Sequence, residues 1–399
     1  MERLDTFAAE LRWHLQEEIL PFWTGLMQDG KGGFHGRMTG EGVLDAEAPR
    51  GAILYGRILW TFSAAYRTLG RPEYLETAKH AKEWLLGHFY DAQYGGVYWK
   101  VAADGTPLDT HKQFYALGFA VYGLSEYHRA TGDREALAYA IRLFETIEQH
   151  AFDPAHNGYI EASARDWSPV EDMRLSDKDD NTPKTMNTHL HILEPYTNLY
   201  RAWPDPRLRE RLVNLIGIFL EKIESPETHH LGLFFDNEWN EQSRGCYSYG
   251  HDIEASWLLL EAALTVGDAA LTERVKKHCR RIADAALEGY TPDGSMIYEH
   301  HADGTPDREC HWWVQAECVV GLTWLYLHHG EKEALSQAKK TWKYIRTHLV
   351  DPRQGEWFWS IRADGSVNRT DDKAGFWKCP YHNSRMCLEV MACAESQKQ

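Results

Sequence analysis

The chain has 399 residues, and its 43 Lys and Arg against 59 Asp and Glu give a formal net charge of -16. That balance argues against nucleic acid or an anionic membrane surface as partner, since both require a basic patch. The seven cysteines all lie beyond residue 245, are odd in number and show no Cys-x-x-Cys spacing. They fit free thiols in a reducing compartment better than a disulfide frame or a zinc site.

The first twenty residues are charged and helix-patterned, without the basic end and apolar run of a signal peptide. No stretch is apolar and long enough to span a bilayer. The expected location is cytoplasmic, and the expected state is a monomer.

One small motif, a glycine followed by alternating aromatic or apolar residues, recurs along the chain. It begins at Gly33, Gly96, Gly158, Gly232, Gly294 and Gly355, at intervals of 63, 62, 74, 62 and 61 residues. A near-constant period over the whole length is the signature of a repeat architecture. Length alone would suggest two or three domains; the repeat argues for one, spanning residues 1–399. The long interval contains Glu161 to Met186, a polar stretch that reads as an inserted loop. Asp104-Gly105, Asp303-Gly304 and Asp364-Gly365 lie between short alternating runs, the pattern of hairpins with type I′ turns.

Each repeat carries one amphipathic charged helix and one apolar helix. The charged set is expected at Glu2–Phe22, Glu73–Phe89, Arg134–His150, Pro206–Ile223, Leu271–Leu287 and Lys332–His348, with apolar residues at i, i+3, i+4 and i+7. The apolar set is expected at Gly51–Leu69, Lys112–Ala130, Asn187–Ala202, Gly250–Val266, His311–His328 and Tyr381–Ala394. Six of each in strict alternation predict an inner ring inside an outer ring. The absence of a capping repeat favours closure over an open superhelix. In a closed ring all six hairpin-to-inner-helix junctions converge on one cleft.

The first junction offers Arg57, which inside an apolar helix needs a carboxylate partner or a polar cavity. The second offers Tyr115, which either lines the cleft or packs. In the third, His189 and His191 are two residues apart on a helix and point to nearly opposite sides, so they do not form a metal pair. Asn187, His191 and Glu194 share a face, which makes His191 the inward histidine and His189 a structural one.

The fourth junction puts His251 and Glu254 one turn apart, so the carboxylate either orients the imidazole or binds substrate itself. The fifth brings Trp312 and Trp313, one of which can face the cleft. In the sixth, Trp377 precedes Pro380, a residue suited to a first helical turn, and His382 falls just inside that turn. A helix N-terminus disfavours imidazolium, so His382 suits a neutral base.

The collected residues include no nucleotide-binding glycine loop and no spacing for a metal triad, so neither cofactor nor metal is expected. General acid–base chemistry remains, with histidines removing a proton next to a carbonyl and cationic or amide donors stabilising the enediolate. The 16 Trp and 20 Tyr suit a sugar site, where flat apolar rings are edged by hydrogen-bonding groups.

Asn187 to Glu194, Ser248 to Ser256, Trp312 to Glu317 and above all Ala374 to Arg385 resemble the cellobiose 2-epimerases of the N-acylglucosamine 2-epimerase superfamily. The resemblance runs from the Arg57 helix to the final repeat. It implies an all-α (α/α)6 barrel, a six-hairpin toroid with short β-hairpins at the cleft end. It also implies epimerisation at C2 of the reducing glucose or mannose of a β-1,4-linked disaccharide such as cellobiose, mannobiose or lactose. His251 and His382 would then be the paired acid/bases around a cis-enediolate, with His191, Asn187 and Arg57 on the enediolate oxygens. Glu254 would support His251 or hold a hydroxyl, and Trp313 and Trp377 would stack on the sugars beside Tyr115. A monosaccharide epimerase or aldose–ketose isomerase would share the same intermediate. A glycoside hydrolase on a similar toroid would need two facing carboxylates, for which Glu254 and Glu317 are the candidates.

Overall fold

In the computed structural model, which describes residues 4–398, the charged and the apolar stretches both fold as helices, and the two kinds occupy different shells. The outer helices are α1 (4–25), α3 (72–89), α5 (Arg134–His150), α7 (206–223), α9 (Ala269–Ala286) and α11 (332–349). The inner ones are α2 (Ala52–Leu69), α4 (Phe114–Thr131), α6 (Met186–Ala202), α8 (Tyr249–Val266), α10 (Trp312–His329) and α12 (Tyr381–Ser396). Inner helices are buried nearly all round, as Ala52 through Ala65 of α2 illustrate. This burial explains why their sequences lack a polar stripe. Close approach is needed as well: a Cβ on Gly118 of α4 would lie 2.4 Å from the His191 carbonyl oxygen of α6.

Consecutive inner helices pack side by side from α2 to α12, and α12 packs back against α2. The ring is closed, an (α/α)6 barrel, as the repeat implied. Outer α1 covers α12, so the first described helix seals the last repeat. Among the described residues no helix is long and apolar enough to cross a membrane.

A second ring, made of two-residue strands, crowns the cleft end. The strand entering each inner helix pairs antiparallel with a strand of the following repeat: Arg50–Gly51 with Lys100–Val101, Lys112–Gln113 with Ala162–Ser163, and Lys184–Thr185 with Phe234–Phe235. Tyr247–Ser248 with Glu299–His300 and Cys310–His311 with Ser360–Ile361 continue the series, and a Met38–Ala374 bridge closes it. The Asp-Gly turns differ from expectation. Only the glycines take positive φ (Gly105 88°, Gly304 87°, Gly365 84°), whereas a type I′ turn would need it at the aspartate too. Each aspartate instead accepts the amide two residues on (Thr106, Thr305 and Ser366, all 2.9 Å) and keeps an ordinary φ.

Buried ion pairs lock four of the six repeats. The residue after each glycine-motif bridge is Asp29, Asp91, Asp153, Ser225, Thr291 or Asp351. The base two residues before the inner helix answers it: Arg50 to Asp29 at 2.7 Å, Lys112 to Asp91 at 3.0 Å, and Lys184 to Asp153 at 2.9 Å. Lys373 pairs with Asp351 in the sixth repeat, where the inner helix starts later. Repeats four and five lack the aspartate, and there Tyr247 and Cys310 replace the base. In the Lys373–Asp351 pair both charges are buried, so removing one leaves the other uncompensated. Lys373→Met should therefore lower stability by about 3–5 kcal/mol, and Lys373→Met/Asp351→Leu should recover most of it. Urea unfolding checks this; a single variant within about 1 kcal/mol of the parent would remove the strut from the account.

Candidate active site

All nine residues singled out from the sequence (Arg57, Tyr115, Asn187, His191, His251, Glu254, Trp313, Trp377 and His382) line one cleft of about 410 Å³. They stand at or near the N-terminal ends of the inner helices, so the positive ends of the helix dipoles converge on this volume. Such a field favours a bound anion and disfavours imidazolium. Leu175 to Asp179 of the inserted loop also line the cleft, held by the Gln113 amide donating to the Arg174 carbonyl at 2.9 Å.

Below the cleft lies a buried charge cluster centred on Arg385 of α12. Its guanidinium reaches Glu194 of α6, Glu254 of α8 at 2.5 Å and Glu317 of α10 at 2.7 Å. One cation faces three carboxylates, so the cluster cannot hold all three charges cheaply. Burial raises the Glu194 carboxyl, but Arg385 and His191 outweigh this and hold it down at about 2. Burial and then the neighbouring Glu317 push Glu254 well above the carboxylate range. Burial raises Glu317 as well, yet Glu317 accepts from His382, Trp257 and Arg385, whereas Glu254 accepts from Arg385 alone. This difference favours the proton on Glu254, whose Oε2 has no partner among the described residues and belongs to a residue lining the cleft.

His382 Nδ1 is 2.7 Å from Glu317 Oε1. An Nδ1–H donated to that carboxylate leaves Nε2 with its lone pair. Burial, and then the Arg57 and Arg385 cations, push its pKa well below the ordinary value. The adjoining segment is fixed because Lys378 and Asn383 both end on buried Glu356, each at 2.8 Å.

Of the two roles open to Glu254, it does not orient His251, whose Nδ1 meets Ser248 Oγ at 3.0 Å while Glu254 turns to Arg385. Burial lowers the His251 pKa to about 3. Asp252, on another face, accepts from His230 Nδ1 at 2.7 Å and the Leu231 amide at 2.9 Å, tying α8 to the glycine motif before it. Trp313 packs against both histidines, with ring centroids 4.7 Å from His251 and 5.6 Å from His382.

His191 does pair with the carboxylate one turn on, Nδ1 to Glu194 Oε2 at 3.1 Å. His189 is structural: Nδ1–H donates to the Thr185 carbonyl at 2.6 Å and Nε2 accepts the Tyr159 amide at 2.9 Å. Among the described residues Arg57 has no carboxylate partner. It donates to Tyr115 Oη at 2.8 Å and the Trp377 carbonyl at 3.2 Å, and its guanidinium carbon lies 4.2 Å from the Phe119 ring centroid. A buried cation held by neutral groups keeps its charge available to an anion in the cleft.

Glu254, Glu317 and His382 bring ligand-type atoms within 4.8 Å of one another, but the Arg385 guanidinium already bonds both carboxylates. Arg385, Ser248 and the orienting role of Glu317 escaped the reading of the sequence. The spacing of His382 and Arg385 on one helical face was the available signal. Arg385→Met should cost about 3–5 kcal/mol in urea unfolding, since three carboxylates lose their only shared cation. A loss under about 1 kcal/mol would mean that the cluster does not hold the barrel floor.

The family model described as N-acylglucosamine 2-epimerase (GlcNAc 2-epimerase) matches residues 32–385. The chain is 58% identical over 384 residues to a cellobiose 2-epimerase of Bacteroides fragilis, covering 96% of this chain and 98% of that one. To a cellobiose 2-epimerase of Ruminococcus albus it is 42% identical, covering 96% and 98%. The solved cellobiose 2-epimerase of Bacillus thermoamylovorans superposes with a TM-score of 0.92 at 41% identity, over 97% of this chain and 99% of that one.

Proposed function

Since the chain belongs to the N-acylglucosamine 2-epimerase family and is a carbohydrate epimerase, an isomerase, we propose that it acts as a cellobiose 2-epimerase, inverting C2 of the reducing sugar in β-1,4-linked disaccharides. Cellobiose, mannobiose and lactose are the substrates of this reading. The observation that carries it is a pair of histidines from repeats four and six, His251 partly buried and His382 buried, packed on one tryptophan in the cleft, where desolvation lowers both pKa values.

Ring opening moves the O1 proton to His251 while Glu254 gives its proton to O5, leaving an open-chain aldehyde. His382 then takes the C2 proton, and the electron pair flows onto O1 to form a cis-enediolate. Arg57, His191 and Asn187 hold its oxygens, within the field of the inner-helix N-termini. His251 returns its proton to the opposite face of C2. Ring closure sends the His382 proton to O1 and the O5 proton back to Glu254, so every group ends as it began. In the reverse direction the histidines exchange roles. The tryptophans supply stacking faces for the sugar rings.

Turnover of cellobiose in deuterated water, followed by NMR, tests this. Epimer carrying deuterium at C2 is expected, with kcat down about 10²–10⁴-fold in His251→Ala and in His382→Ala. Full activity in either variant removes the two-histidine mechanism. Turnover of monosaccharides alone, or ketose as main product, removes the substrate assignment.

The low histidine pKa values also set a pH dependence. A base that stays neutral until pH falls to about 3 keeps working where an ordinary histidine would be protonated. The acid limb of kcat/KM should therefore lie well below pH 6.5, and an acid limb at that value would contradict it.

A further inference from the structure

The hairpin that follows the fifth glycine motif carries Glu299, His301 and Asp307. Glu299 and His301 are two residues apart on one extended segment and share its face. Asp307 is the Cα partner of Glu299 across the hairpin, so its side chain joins them. One ligand-type atom from each lies within 4.8 Å of the other two. The spacing rule for metal sites missed this set, because what brings it together is strand pairing rather than a short sequence interval.

Each of the three keeps at least one ligand atom without a hydrogen bond among the described residues. Among the described residues, no donor reaches the Glu299 carboxylate, and no group hydrogen-bonds the His301 ring, whose Nδ1 stands 4.0 Å from Glu299 Oε1. That gap is too wide for a hydrogen bond. Asp307 spends one oxygen on the Glu309 amide at 2.9 Å and keeps the other. A tetrahedral ion with bonds of about 2.0–2.1 Å needs its ligand atoms about 3.3 Å apart. All three residues are partly exposed, so side-chain rotation can close the remaining distance without moving the core.

We propose that Glu299, His301 and Asp307 form a binding site for a divalent transition-metal ion of the zinc class at the rim of the cleft. One imidazole and two carboxylates suit such an ion, with water completing the shell. The site is separate from the residues of the sugar reaction, although Tyr298 next to it lines the cleft. A bound ion would tie the two strands of the hairpin together beyond their short ladder.

Isothermal titration of zinc chloride into the metal-stripped full-length chain tests the site. The expected result is one ion per chain, with affinity at least about tenfold weaker in both His301→Ala and Glu299→Gln, each change worth about 1.4 kcal/mol or more. Zinc should also raise the melting temperature of the parent and not that of His301→Ala. Unchanged affinity in both variants, or no stoichiometric binding by the parent, would overturn the proposal. Epimerase turnover without metal should be the same in His301→Ala as in the parent, which separates this site from the proposed reaction.

Discussion

One guanidinium holds the floor of the cleft. Arg385 projects from α12 and reaches carboxylates from α6, α8 and α10, so four of the six inner helices meet on a single buried cation. A buried ion pair is seldom a gain in stability over a well-packed apolar core, but it fixes geometry, because each charge must find its partner. Here the geometry concerns Glu317, which divides its oxygens among Arg385, Trp257 and His382. The orientation of His382 thus descends from the charge balance beneath it.

The same imbalance places the protons. Three carboxylates against one cation, all inaccessible to water, keep Glu254 neutral, while burial and two nearby guanidinium groups keep His382 neutral. Six helix N-termini add a positive field over the top. The resting cleft therefore favours neutral imidazoles and a negative guest. The enediolate of the proposed reaction is such a guest, and it would meet fixed donors that need not reorganise when the charge develops.

How far this was legible follows from the range of each interaction. The period of the glycine motif and the alternation of helix types are properties of the sequence itself, and closure follows from them. The nine residues expected at the cleft do line it because each sits near a junction that the repeat locates. What could not be found depends on side chains from other helices. His251 and Glu254 have the same spacing as His191 and Glu194, and Arg385 takes an oxygen of both carboxylates, yet only the second pair meets, because Ser248 takes His251. Spacing permits a contact, and competition decides it. The Asp-Gly turns failed for a local reason: an aspartate that accepts a nearby amide stabilises an ordinary φ at its own position.

The struts show where the barrel gives up symmetry. Repeats one, two, three and six fasten the strand before the inner helix with a buried base and an aspartate, and repeats four and five do not. Those two repeats carry His251 and Trp313. In place of ion pairs they use stacked rings: His230 on Tyr247 at 3.6 Å, Tyr247 on His300 at 4.7 Å, and Tyr298 on His311 at 4.0 Å. A lysine or arginine at the strut position would add positive charge near His251; the buried aspartate there, Asp252, is answered by the His230 ring instead. The aromatic stacks fasten the strands of these repeats without a lysine or arginine at the strut position. Support in the two repeats that frame His251 has thus moved from a strut of base and aspartate to stacked rings, one of which, His230, also pairs with Asp252 beside His251.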